Sequence, residues 1–106
     1  MTVLNLTDKN FKEEVIDSLV PVVIDFYADW CGPCRAMKPV FHSASDELSG
    51  KIKFMTLDTM QEQSLAHHFN VRGIPTFSVI KNGKEIGRFS GFMPEDMFIE
   101  RLQEIL

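Results

Sequence analysis

Cysteine is scarce in this chain of 106 residues: there are two, Cys31 and Cys34, separated by a Gly-Pro dipeptide. A secreted scaffold held by dispersed disulfides is therefore excluded, and a lone Cys-x-x-Cys points instead to redox chemistry or to half of a metal site. Long apolar runs are missing as well, so no membrane span is expected. The N-terminus, MTVLNLTDKNF, has neither a basic n-region nor an apolar h-region, which makes the cytoplasm the default location. Basic charge is short: 11 Lys and Arg stand against 15 Asp and Glu, for a net charge of −4. A nucleic-acid partner is not expected, because phosphate binding needs a basic face. Histidine is limited to His42, His67 and His68. None has the His-x3-5-His spacing of a zinc site, and the adjacent His67 and His68 would point about 100° apart on a helix. No metal is expected, and all three read as surface or packing residues. Repeats, low-complexity tracts and linkers are absent, so one domain over 1–106 is expected.

What is present is an ordinary globular composition, 44% apolar and 25% charged. A chain of this length buries roughly two thirds of its unfolded surface, enough for a core without staples. The patterning predicts a short strand at about 3–6 and a helix at about 8–19, capped by Thr7 or Asp8, with Phe11, Val15, Ile16 and Leu19 as its apolar stripe. PVVIDFYA, 21–28, reads as a strand covered on both faces. A helix to about Leu48 follows, buried through Met37, Val40, Phe41, Ala44 and Leu48, with Pro39 expected to kink it. KIKFMTLD, 51–58, is a strand and MQEQSLAHHF, 60–69, a short helix. TFSVIKNGKEIGRF is a hairpin with Asn82-Gly83 at its tip. PEDMFIERLQEIL closes the chain as a helix with Pro94 in its first turn and Phe98, Leu102 and Ile105 facing inward. The order βαβαβα then ββα implies an α/β fold, one mixed sheet with helices on both faces. Strands separated by helices are expected to be parallel, with right-handed crossovers.

CGPC falls between a buried strand and a helix. Cys31 is thereby placed at a helix N-terminus, where free N–H groups and the helix dipole favour a thiolate, the attacking species. From that position Cys31 is expected to be the exposed, reactive thiol. Cys34, one turn on, is expected to be shielded and within reach of Cys31. Pro33 suits a first helical turn, and Gly32 permits close approach by another backbone. Asp25 is the odd residue of its strand: alternation puts Val23, Asp25 and Tyr27 on one face and Val22, Ile24 and Phe26 on the other. A carboxyl inside such a run is desolvated and titrates nearer neutrality. It can serve as a proton donor and acceptor, or simply hydrogen-bond to backbone; the strand pattern leaves both open. Ile74-Pro75 begins the fourth strand, where proline is most often just an edge residue.

DFYADWCGPCR, VRGIPTF, KNG and the glycine of FSGF together resemble the thioredoxin family, over the whole length of the chain. The resemblance implies a thioredoxin-like fold and a protein dithiol–disulfide oxidoreductase. It casts Cys31 as the nucleophile, which forms a mixed disulfide, and Cys34 as the resolving thiol that closes the Cys31–Cys34 disulfide. It makes Asp25 the buried acid that assists proton transfer at Cys34, and Pro75 a cis proline beside the disulfide. Ile74 would offer backbone groups to an extended substrate. Trp30, Gly32, Pro33, Gly73, Ile74, Pro75 and Gly91 would border the docking surface. The implied partners are disulfide-containing target proteins and a thioredoxin reductase, which itself carries flavin and NADPH. The chain would need no bound cofactor and act as a monomer.

Three positions depart from the family pattern. Tyr27 stands where tryptophan is common, and Thr56 where many members have a lysine near the buried aspartate. Phe92 follows Gly91 where a small residue is usual. Lys53 cannot replace the lysine, since alternation puts it on the opposite face from Thr56. Two other functions compete: a binding module with idle redox chemistry, opposed by the intact CGPC and Asp25, and a dedicated oxidant or isomerase, opposed by the Gly-Pro dipeptide and by the default location.

Overall fold

The computed structural model describes residues 3–106. Five strands, β1 (Val3–Asn5), β2 (Val22–Tyr27), β3 (Lys53–Asp58), β4 (Thr76–Lys81) and β5 (Lys84–Ser90), form one sheet in the order β1-β3-β2-β4-β5. Helices α1 (Gly32–Glu47), α2 (Gln63–His68) and α3 (Glu95–Ile105) and a wide π-helical turn at Lys12–Ile16 complete the fold. β2 lies at the centre of the sheet, and its near-continuous apolar run is what a strand covered on both faces requires. The alternation read from the sequence holds. Val23 packs with Met37, Phe41, Phe98 and Leu102 under α1 and α3. Val22, Ile24 and Phe26 pack with Val15 and Leu65 on the other face.

Phenylalanine fills the α1/α3 side. Phe41 meets Phe54, and Phe77 meets Phe98, each with ring centroids 5.0 Å apart at steep angles, the arrangement in which one ring's edge faces another's π-surface. α1 runs unbroken through Pro39, its apolar positions held down on the sheet. The β4–β5 tip is built by Asn82 and Gly83, both at positive φ (54° and 78°), the combination that an Asn-Gly turn supplies most easily.

Two expectations fail, each for a local reason. The helix expected over 8–19 shrinks to the π-helical turn. Residues 7–10 are tied into a turn instead: the Thr7 N–H donates to Asn10 Oδ1 at 2.8 Å and the Lys9 N–H to Thr7 Oγ1 at 3.2 Å. Thr7 and Asp8 therefore cap no helix, and the π-helical turn has no side-chain cap. At the far end Ser18 Oγ donates to the Val20 carbonyl, turning the chain early and leaving Leu19 fully exposed. The second failure concerns direction. β1 and β2 each run parallel to β3, but β4, which follows a helix, is antiparallel to β2. Six residues of α2 advance only about 9 Å, whereas a six-residue strand is about 20 Å long, so α2 does not carry the chain back along the sheet. β4 therefore starts from the end at which β3 stops.

Candidate active site

The C-terminal end of β2 delivers the chain to the start of α1, and the two cysteines sit at that junction. The Cys31 N–H donates to the Ala28 carbonyl at 3.1 Å, and Arg35 Nη1 donates to the Asp29 carbonyl at 2.9 Å. These bonds fix the 28–31 turn against the first turn of the helix. Cys31 is the N-cap of α1, in extended conformation, and its Sγ accepts the backbone N–H of Cys34 at 3.2 Å. A helix start leaves N–H groups without partners, and here a sulfur takes the place that a Ser or Asp oxygen usually fills. Cys31 and Cys34 are joined as a disulfide, with Cα atoms 5.2 Å apart. The expected contrast in accessibility is corrected. Both cysteines are 5% exposed, and Cys31 is covered by the segment that carries the Ile74 carbonyl.

That segment brings in the second group of residues. Ile74-Pro75 is a cis peptide, and the Ile74 carbonyl lies 3.8 Å from Cys31 Sγ. The Pro75 carbonyl accepts the N–H of Gly91 at 3.0 Å. Gly91 has φ +95°, a left-handed conformation that side chains other than hydrogen resist. Trp30, 69% exposed, lines a groove of about 190 Å3 with Thr59, Val71, Arg72, Gly73 and Ile74. Gly32 and Pro33 are exposed on the first turn of α1. Trp30, Gly73 and Ile74 thus share this groove, Gly32 and Pro33 follow Cys31 on α1, and the buried Pro75 ties Gly91 to the 74–75 segment. Phe92, 54% exposed, follows Gly91.

Beneath the disulfide lies Asp25. It is 4% exposed, flanked in the ladder by Thr56 of β3 and Phe77 of β4. Its Oδ1 has no hydrogen-bond partner among the described residues. Burial pushes its carboxyl up from 3.8 to about 7. Asp25 and Cys34 line the same cleft of about 180 Å3, with Val3, Asn5, Tyr27, Lys38, His42 and Thr56. Lys53 is indeed on the opposite face, paired with Glu14 at 2.8 Å. Sequence reasoning missed Lys38 and His42. Cys34, Lys38 and His42 are spaced four apart, which aligns them on one helix face, and this spacing was the available signal.

Among the described residues no cluster of three or more His, Cys, Asp or Glu could hold a metal ion, and no helix is long and apolar enough to cross a membrane. Apart from His42 at the cleft, His68 packs its ring edge-on to Phe11 and Phe69.

The family model for thioredoxin matches residues 2–104. The chain belongs to the thioredoxin family. It is 38% identical over 101 residues to Thioredoxin 1 of Nostoc sp., covering 95% of this chain and 94% of that one. It is 37% identical over 101 residues to Thioredoxin of Synechocystis sp., with the same coverage. It is 38% identical over 100 residues to Thioredoxin Y, chloroplastic, of Oryza sativa subsp. japonica, of which it spans 60%. With its cysteine pair closed at the start of α1, this thioredoxin-family chain is a protein dithiol–disulfide oxidoreductase.

Proposed function

We propose that the chain reduces disulfides in target proteins through a mixed disulfide on Cys31. The observation that carries the reading is the Cys34 N–H donated to Cys31 Sγ at the N-terminus of α1. In the reduced protein that bond and the helix dipole stabilise negative charge on Cys31. The Cys31 thiolate attacks one sulfur of the target disulfide; the other leaves as a thiolate and takes a proton from water. Cys34 then gives its proton to the Asp25 carboxylate and attacks Cys31 Sγ. The Cys31–Cys34 disulfide closes, the second target thiol departs, and two electrons have passed to the target. Asp25 suits this role because it shares a cleft with Cys34 and has an unpartnered oxygen.

The rim of Trp30, Gly32, Pro33, Gly73, Ile74, Pro75 and Gly91 receives the target as an extended segment. A thioredoxin reductase, drawing on flavin and NADPH of its own, returns the pair to the dithiol, and the chain itself holds no cofactor or metal. It works as one domain over residues 1–106, as a monomer, in the cytoplasm. Cys34→Ser tests the chemistry: target proteins are expected to accumulate as mixed disulfides on Cys31, releasable by dithiothreitol. Capture by Cys31→Ser instead of Cys34→Ser would reverse the assignment.

A further inference from the structure

The cleft beside Asp25 presents an electrostatic mismatch. A nearly buried carboxyl with an unpartnered oxygen faces it from β2. Its neighbour across the ladder is Thr56, which brings no charge. The remaining charged and titratable groups are few. Tyr27 lies beside Asp25 on β2, with Asp58 as its register partner on β3 and Asp29 beyond the strand. β1 contributes Asn5, and β4 contributes Phe77. α1 contributes Cys34, Lys38 and His42. Among the described lining residues Lys38 is therefore the one permanent cation. It is exposed, and among the described residues it forms no ion pair, whereas Lys12, Lys53 and Arg88 are each paired. Its position, one turn after Cys34, gives a long flexible side chain access to the cleft from the solvent side.

We propose that Lys38 is a positioning residue for proton transfer at Cys34: its ammonium compensates the Asp25 carboxylate from α1, in place of a cation on β3. The proposal rests on the reading of Asp25 as the acceptor of the Cys34 proton. For Asp25 to accept that proton it must first be ionised, and an ionised carboxylate at this depth needs a counter-charge. Once Asp25 takes the proton it is neutral, the ammonium is released to water, and the proton leaves by the same cleft. His42, one turn further along α1, lines the same cleft.

The test reads Asp25 directly, by NMR titration of its side-chain carboxyl in the reduced protein. Lys38→Met is expected to raise the Asp25 midpoint by about one pH unit, the size of effect one nearby opposite charge exerts. Lys38→Arg should leave it in place. Adding Thr56→Lys to Lys38→Met should bring it back down, since position 56 adjoins Asp25 in the ladder. An unmoved midpoint in Lys38→Met overturns the assignment of Lys38. The second readout is the pH profile of single-turnover release of a Cys31 mixed disulfide. Its rising limb should move with the Asp25 midpoint, making Lys38→Met about tenfold slower below the limb. A shifted midpoint with an unshifted profile overturns the catalytic part of Lys38 and, with it, the role given to Asp25.

Discussion

Asp25 stands beside the uncharged Thr56 in the β2–β3 ladder, and burial raises its carboxyl to about 7. A raised value in the folded state means that folding favours the neutral acid. The stability contributed by this group is therefore complete below the unfolded-state value of 3.8 and is lost as pH rises through about 7. Asp25→Asn is expected to be free of that loss. Denaturant midpoints measured from pH 4 to pH 8 should show the parent falling relative to Asp25→Asn, by at most about 4 kcal/mol at about 1.4 kcal/mol per pH unit. The variant should also turn over more slowly. Parallel stability curves would show that Asp25 titrates as an ordinary carboxyl.

The two cysteines are equally buried, so accessibility does not separate them. Charge stabilisation does. Cys31 Sγ receives an N–H at the helix start, while Cys34 lies inside the first turn beside a carboxyl. In the reduced protein iodoacetamide near neutral pH is expected to alkylate Cys31 well before Cys34, because the thiolate is the reactive form. Mass spectrometry of partially labelled protein decides the matter, and predominant modification of Cys34 would refute the electrostatic argument.

The elements most legible in the sequence were those whose signal is local. PVVIDFY reads as a doubly covered strand because its packing on both faces demands an apolar run. Asn82-Gly83 reads as a hairpin tip because both positions need positive φ. CGPC reads as a helix start because proline at that point costs nothing. The less legible features depended on distant parts. Leu19 fits a helical stripe, yet Ser18 and the hydrogen bonds of Asn10 decide where the helix can exist. The antiparallel direction of β4 follows from the shortness of α2, not from any residue of β4. Lys38 and His42 acquire meaning only when α1 is laid against Asp25 and Thr56.

Gly91 offers a test of the rim's construction. Its φ of +95° is a conformation that a side chain strains, although no described residue would obstruct the added methyl itself. Gly91→Ala should therefore destabilise the protein by about 1–2 kcal/mol, through backbone strain alone. If the backbone relaxes instead, the Gly91 N–H to Pro75 carbonyl bond should be lost, which amide hydrogen exchange at Gly91 reports. Unchanged stability with unchanged protection would contradict the argument.

Phe92 is held outward by its neighbours. Gly91 is bonded to the Pro75 carbonyl on one side, and on the other Met93 is buried with its N–H donated to Met37 Sδ at 3.4 Å. Between these two anchors the phenyl ring is 54% exposed, across the 74–75 segment from which the Ile74 carbonyl approaches Cys31 Sγ. If a target held covalently on Cys31 passes over this rim, as proposed, an aromatic ring there adds a contact that a small side chain would not make. Phe92→Ala is expected to raise the KM for protein disulfides about fivefold, equivalent to about 1 kcal/mol of lost contact. Reduction of a small acyclic disulfide such as hydroxyethyl disulfide, which spans too little of the rim, should be unaffected. The melting temperature should stay nearly constant, because exposed substitutions typically change stability by less than about 0.5 kcal/mol. A loss of about 3–5 kcal/mol would instead mark the ring as a core residue, and an unchanged KM would remove it from the recognition surface.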